Sequence, residues 1–343
     1  MVEAPKENLT VAHAPHIGSA LSTRKIMLEV VISLAPAMAA AGIYFRFHTL
    51  ILILTCVISC VLTERVCNVL RRKPDPFESI GDFSAVVTGI ILALSLPPAL
   101  PFWAAIIGSC FAIGVAKMVF GGLGANIFNP AMVGRAFLTA CFGMLMTTWT
   151  VPATINSSMP AISAENTVSA VTQATPLAWS KQALKNKAGA PAVNEQMAQS
   201  FVGQIGGCLG ETSALALLIG AVILLLRKTI TVHIPLAVLS SAFAFAAVVY
   251  LFNPGAYVSP LLHLTSGALI FCAFFIATDP VTAPLTIGGM WLFGAIIGCF
   301  TMLIRVVGEY PEGVMYAVLL ANGTRPLIDR LFKPIPAGGV PRA

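Results

Sequence analysis

Between Val151 and Gly210 runs the one long polar interval of a chain that is otherwise apolar enough to lie in lipid, with five hydrophobic segments before it and five after it. Runs such as Ala214 to Leu226 carry no charge. Backbone in a bilayer core has to satisfy its own N–H and C=O groups, which leaves helices or closed barrels. Alternating strands of about ten residues, the mark of a barrel, are missing from the sequence, so the spans are read as helices.

Composition closes off the soluble alternative. Charged residues make up 10% of the chain, hydrophobic residues 57%, and the mean hydropathy is +0.88. A soluble domain carries about 25% charged residues, so this chain cannot clothe itself in a solvated surface. Its net charge of +6 is read as Lys and Arg gathered in cytoplasmic loops, with the bilayer as partner and no nucleic acid. The first apolar run begins at Ile26 and acts as an uncleaved signal-anchor. None of the eight cysteines forms a C-x-x-C pair. They are read as small buried hydrophobes, with no iron–sulfur cluster or zinc held by this chain alone.

The expected fold is an all-α polytopic membrane protein of about ten transmembrane helices. A cytoplasmic segment, residues 1–25, precedes a first half over 26–150. Its helices are placed at Ile26–Phe45, Leu50–Leu70, Ser84–Leu96, Phe102–Phe120 and Ala131–Trp149. An extracytoplasmic loop spans 151–210. The second half, 211–332, places helices near Thr212–Leu226, Val232–Phe252, Leu261–Ala277, Leu285–Ile304 and Glu312–Phe332, the last kinked or cut short at Pro326. A cytoplasmic tail, 333–343, follows. Of the 20 Lys and Arg, only Arg46, Lys181, Lys185, Lys187 and Arg305 fall outside under this arrangement, which sets both termini inside.

An odd number of spans per half makes two similar halves inverted repeats. Each half carries a helix breaker with an acidic or amide residue before a proline: Phe128-Asn129-Pro130 and Thr278-Asp279-Pro280. Broken backbone at membrane depth belongs where it is buried in protein or lines a wet cavity. The run Gly121 to Pro130 brings glycines Gly122 and Gly124, free N–H groups and the side chains of Asn126 and Asn129. It reads either as a site for an anionic or carbonyl-rich ligand or as a packing turn. Asp279 reads as a ligand to a cofactor or cation, or as the N-cap of the next helix. Arg135 faces a phosphate or snorkels to the inner surface. Thr175, before Pro176, reads by itself as a turn residue, and no His, Cys or Ser arrangement around it suggests a self-activated nucleophile. No catalytic side chain is assigned.

Several motifs together resemble one family: Gly81-Asp82-Phe83-Ser84, Thr88-Gly89, Leu96-Pro97-Pro98, Gly121-Gly122-Leu123-Gly124, Phe128-Asn129-Pro130-Ala131, Gly210-Glu211-Thr212-Ser213, Ala277-Thr278-Asp279-Pro280-Val281-Thr282 and Tyr310-Pro311-Glu312-Gly313. It is the family of membrane proteins that contains the D subunit of the Rnf electron-transport complex and the B subunit of the sodium-translocating NADH:quinone reductase. The resemblance runs from about Arg24 to Phe332. It implies FMN joined through its phosphate to a threonine hydroxyl by a separate transferase outside the cytoplasm. The matching position is Thr175 in Thr172-Gln173-Ala174-Thr175, where Gln173 stands in place of the family's usual glycine. It also implies a non-covalent flavin such as riboflavin in the bundle, with Gly122, Gly124, Asn126, Asn129 and Asp279 as candidates for that flavin or an ion path. The implied activity is electron transfer between ferredoxin and NAD coupled to Na⁺ or H⁺ movement across a bacterial or archaeal inner membrane. Flavin and iron–sulfur subunits of the complex are the implied partners. The rival readings are a channel or secondary transporter with inverted repeats and no redox cofactor, and a scaffold protein within a larger complex.

Overall fold

The computed structural model describes residues 22–72, 81–149, 177, 207–211, 213–254, 257–308 and 312–333. Among these residues the protein is helical, without strands. Three helices are long and apolar enough to cross a membrane: α1 (Thr23–Leu70), α7 (His233–Phe252) and α10 (Ile287–Val306). Between them lie α2 (Ser84–Leu94), α3 (Phe102–Ile113, continued by a π-helical turn Gly114–Met118), α4 (Pro130–Cys141), the single turn α5 (Gly143–Met146) and α6 (Ala214–Leu226). Next come α8 (Pro260–Thr265) and α9 (Leu269–Phe271, continued by a π turn Cys272–Ile276), with α11 (Val314–Leu331) last.

At 48 residues, α1 would be about 72 Å long if straight, more than twice a hydrocarbon core of about 30 Å. It is not straight. Arg46 takes φ 61°, ψ −153°, and a Cβ on Gly42 would meet Leu50 Cδ2 at 3.4 Å, where eight residues of continuous helix give about 12 Å. The chain doubles back at Arg46, in the gap between the two helices expected there. Its second limb shows why helical periodicity is faint in the sequence. Leu52, Cys56, Cys60, Glu64 and Asn68 are buried, while Leu50, Leu54, Ile58, Leu62 and Val66 are exposed. Both stripes are mostly apolar, because one meets protein and the other, in a bilayer, meets lipid.

Two expected helices are shorter than the sequence suggests. The one placed at Ala131–Trp149 ends at Cys141, where Phe142 leaves helical geometry (φ −128°, ψ 46°). The one placed at Leu261–Ala277 is cut at Ser266–Ala268, with Gly267 at φ +74°. A side chain at Gly267 would meet the Glu312 carboxylate, the Arg305 guanidinium and Leu177, so only hydrogen fits there. Pro326 does not end α11, which continues to Leu331.

Candidate functional site

Two helix breakers far apart in sequence meet at one cavity. Leu123, Asn126, Asn129 and Pro130 line it from one side, and Thr278, Asp279, Pro280 and Val281 from the other. Apolar walls come from Ile91, Phe274 and Phe275, and polar groups from Ser84, Lys117 and Thr229.

Each polar group is held by local geometry. Asn129 caps α4, its side chain accepting from Met132 N–H at 3.3 Å, while its own N–H donates to Asn322 Oδ1 at 3.0 Å. Asn126 donates through Nδ2 to Phe128 O at 3.2 Å. Its Oδ1 is buried without a partner among the described residues. Such an acceptor costs about 1–3 kcal/mol if nothing fills it. Gly122 (φ +108°) and Gly124 (φ +91°) do not line the cavity; they bend the chain through a region that favours glycine, with open space where a Cβ would stand.

Asp279 is not the N-cap of the following helix. Thr286 holds that position, accepting from Gly289 N–H. The Asp279 carboxylate instead accepts from Val281 N–H at 3.2 Å and the Thr282 hydroxyl at 3.1 Å. Burial pushes this carboxyl above the usual carboxylate range, against the pull of those two donors and of Arg325.

Beside the cavity sits an ion pair whose members the sequence places only near helix ends. Lys117, 1% exposed, donates to Glu64 Oε2 at 2.8 Å, Glu64 Oε1 at 3.0 Å and Ser84 Oγ at 2.6 Å. Ser84 in turn donates to Asp82 Oδ1. The signal available was a lysine and a glutamate inside apolar surroundings, where charge survives only if paired.

A second buried polar cluster lies away from this cavity. Arg135 is buried rather than snorkelling: its Nη2 donates to Cys208 Sγ at 3.2 Å and stands 3.7 Å from Glu211 Oε1. Cys208 and Glu211 are brought there because the segment 207–211 bonds to the end of α2, Gly210 N–H to Leu94 O at 2.6 Å and Leu209 N–H to Leu96 O at 3.1 Å. Cys208 is thus a polar partner as well as a small buried group. Burial, reinforced by the negative charge of Glu312, holds the Glu211 carboxyl above its ordinary value, with Arg135 opposing. Arg305, expected outside, is buried and donates to both Glu312 oxygens at 3.1 Å, to His263 O at 2.6 Å and to Ser266 O at 3.2 Å. A smaller cavity of about 420 Å³ opens beside this cluster, lined by Arg135, Thr139, Met146, Thr147, Trp149, Glu312, Met315 and Tyr316. Thr175 lies outside the described residues. Leu177, two positions on, is buried.

A family model described as NQR2, RnfD, RnfE matches residues 10–338. The chain belongs to that family. It is 38% identical over 345 residues to the D subunit of the ion-translocating oxidoreductase complex of Yersinia pseudotuberculosis, covering 95% of this chain and 97% of the relative. It is 41% identical over 329 residues to the D subunit of the Na(+)-translocating ferredoxin:NAD(+) oxidoreductase complex of Acetobacterium woodii, covering 95% and 94%. The corresponding D subunit of Salmonella enteritidis is 40% identical over 344 residues, covering 94% of this chain and 97% of that one. The family expected from the motifs is the family found.

Proposed function

We propose that this chain is the D-type membrane component of an ion-translocating oxidoreductase complex of the ferredoxin:NAD kind. In this reading FMN is esterified to Thr175 on the extracytoplasmic side, and a non-covalent flavin occupies the larger cavity. Near full-length identity to proteins named for that activity supports the complex. The observation that carries the cofactor reading is the meeting of Asn126, Asn129 and Asp279 in one apolar-walled cavity.

The residues present suit a flavin ring. Its imide edge offers an N–H, and the buried Asn126 Oδ1 is an acceptor without a partner among the described residues. Its apolar plane suits walls such as Ile91 and Phe275. A flavin, when bound, supplies one- and two-electron transfer; the protein supplies position, electrostatics and exclusion of side reactions. Asn126 and Asn129 orient the ring edge, the Lys117–Glu64 pair fixes the field at its flank, and Asp279 offers a carboxylate on the route of Na⁺ or H⁺.

The same proposal includes ten spans in two inverted halves. Lys117 is the penultimate residue of the Phe102–Met118 span and reaches Ser84 at the start of α2. Arg305 is the penultimate residue of α10 and reaches Ser266 just before α9. A buried cation at the same place in each half is the relation an inverted repeat produces. Both termini then lie in the cytoplasm.

Denaturing-gel fluorescence of the complex, matured in a host that carries the flavin transferase, tests the reading. A fluorescent band at the mass of this chain is expected, lost in Thr175→Ala. A colourless protein, or a band that survives Thr175→Ala, overturns the assignment.

A further inference from the structure

One helix outside the larger cavity holds both of the breakers that form it. Asn322 of α11, 1% exposed, accepts the Asn129 N–H on its Oδ1 at 3.0 Å, across 193 residues of chain. Three residues on, where helical side chains are neighbours, Arg325 donates through Nη1 to the Val281 carbonyl. Asn129 and Val281 both line the cavity, from its two sides. Between these two bonds the backbone of α11 lies against the first breaker, since a Cβ on Gly323 would stand 3.7 Å from Phe128 Cε1. Arg325 is itself steadied from its own helix, with Nε 3.4 Å from Asp329 Oδ2.

The bond to Asn129 finishes a cap that the local sequence leaves half made. In a capping box the N-cap side chain accepts the N–H three residues on, and the side chain at that position accepts the N-cap N–H in return. Asn129 makes the first half with Met132, but a methionine offers only a weak acceptor for the second. Asn322 supplies that acceptor from α11. Its Nδ2 is buried without a partner among the described residues, so the oxygen is the end of the amide that does the holding. We infer that α11 sets the separation of the two breakers and so the shape of the cavity, with Asn322 the positioning residue for 126–129 and Arg325 for 279–281. For its consequence on binding, this inference rests on the proposed flavin in that cavity. A ring edge met by Asn126 stays in register only while the turn that carries Asn126 is fixed from behind.

The test uses the intact complex, washed free of extractable flavin, with Asn322→Leu, Asn322→Asp and Arg325→Met introduced separately. Two quantities are read: amide hydrogen exchange of the peptides covering 126–132 and 279–283, and binding of added riboflavin with its visible absorption band. Asn322→Leu is expected to speed exchange in 126–132 about tenfold and to weaken riboflavin about tenfold, the value of roughly one hydrogen bond, with a shifted band. Asn322→Asp keeps the acceptor oxygen and is expected to restore both. Arg325, with its side chain 26% exposed, tolerates replacement, and Arg325→Met is expected to speed exchange in 279–283; should Asn322→Leu fail to assemble, this variant decides. Exchange unchanged at both breakers overturns the inference. So does faster exchange with riboflavin affinity and band as in the wild type. Faster exchange in a complex whose wild type binds no riboflavin overturns the proposed occupant of the cavity and leaves the hold of α11 on the breakers standing.

Discussion

Two buried cations hold matching places in the chain and live in opposite circumstances. Lys117 has every proton engaged, two with Glu64 and one with Ser84. Arg305 and its neighbour Arg135 engage Glu312, Cys208 and two backbone carbonyls, yet each keeps a nitrogen without a partner among the described residues. The first arrangement is complete in the protein alone: it locks α1, α2 and the end of α3 together and flanks a cavity. The second leaves hydrogen-bonding groups open among the described residues. In a low-dielectric interior that difference separates a closed brace from an open cluster, because an unpaired buried polar atom is costly and a satisfied one is not.

The largest expected effect comes from breaking the brace. Lys117→Met strands the Glu64 carboxylate where it cannot reach water, at a cost of about 3–5 kcal/mol. The purified complex should lose thermal stability sharply or fail to assemble. The double variant Lys117→Met with Glu64→Leu should recover most of that loss, since two apolar groups of similar volume leave nothing stranded. A double variant as poor as the single would show that the pair does more than hold itself.

Gly267→Ala is next. A non-glycine residue at φ +74° costs about 1–2 kcal/mol, and the new methyl also crowds Glu312, Arg305 and Leu177. Lower thermal stability is expected. A flavin bound in the larger cavity, as proposed, should be retained, and its loss would join the two regions that the comparison keeps apart.

Asn126→Leu works on the larger cavity alone. It removes the unpartnered acceptor but also the Nδ2 bond to Phe128 O, two opposing effects, so protein stability should change little. In the proposed reading, extractable flavin should bind about tenfold more weakly, the value of roughly one hydrogen bond, while the gel band proposed for Thr175 persists. The smallest effect belongs to Gly124→Ala. Its φ of +91° makes alanine unfavourable by about 1 kcal/mol, but no atom lies within 4 Å of the added methyl. A small drop in thermal stability with unchanged flavin content is expected, which would separate the bend-forming glycines from the ligand-facing asparagines.

The candidate residues divide along the same line. Asn126, Asn129 and Asp279 could be named from sequence because each is polar or acidic at a helix breaker, and a breaker inside apolar surroundings needs a reason. Gly122 and Gly124 carry the same signal for a different cause, backbone conformation. Glu64 and Lys117 stand in plain view as charges near the ends of apolar runs, but 53 residues separate them and nothing local says that they meet. Arg135, Cys208, Glu211, Arg305 and Glu312 are more scattered still. Helix ends at Cys141 and around Gly267 escape a sequence reading because apolar residues continue past both breaks, so hydropathy shows no edge there.

By itself the sequence determined the solvent, the helical class, the polar interval between two apolar halves and the family, since all four depend on which residues are present and how far apart. Which face of each helix turns to protein was left open, because lipid and protein interior are both apolar and both faces of α1 read alike. Only the tertiary structure decided that two distant breakers share one cavity and that the scattered charges gather into one closed pair and one open cluster. Pairing of buried charge depends on distance through space, which spacing along the chain does not encode.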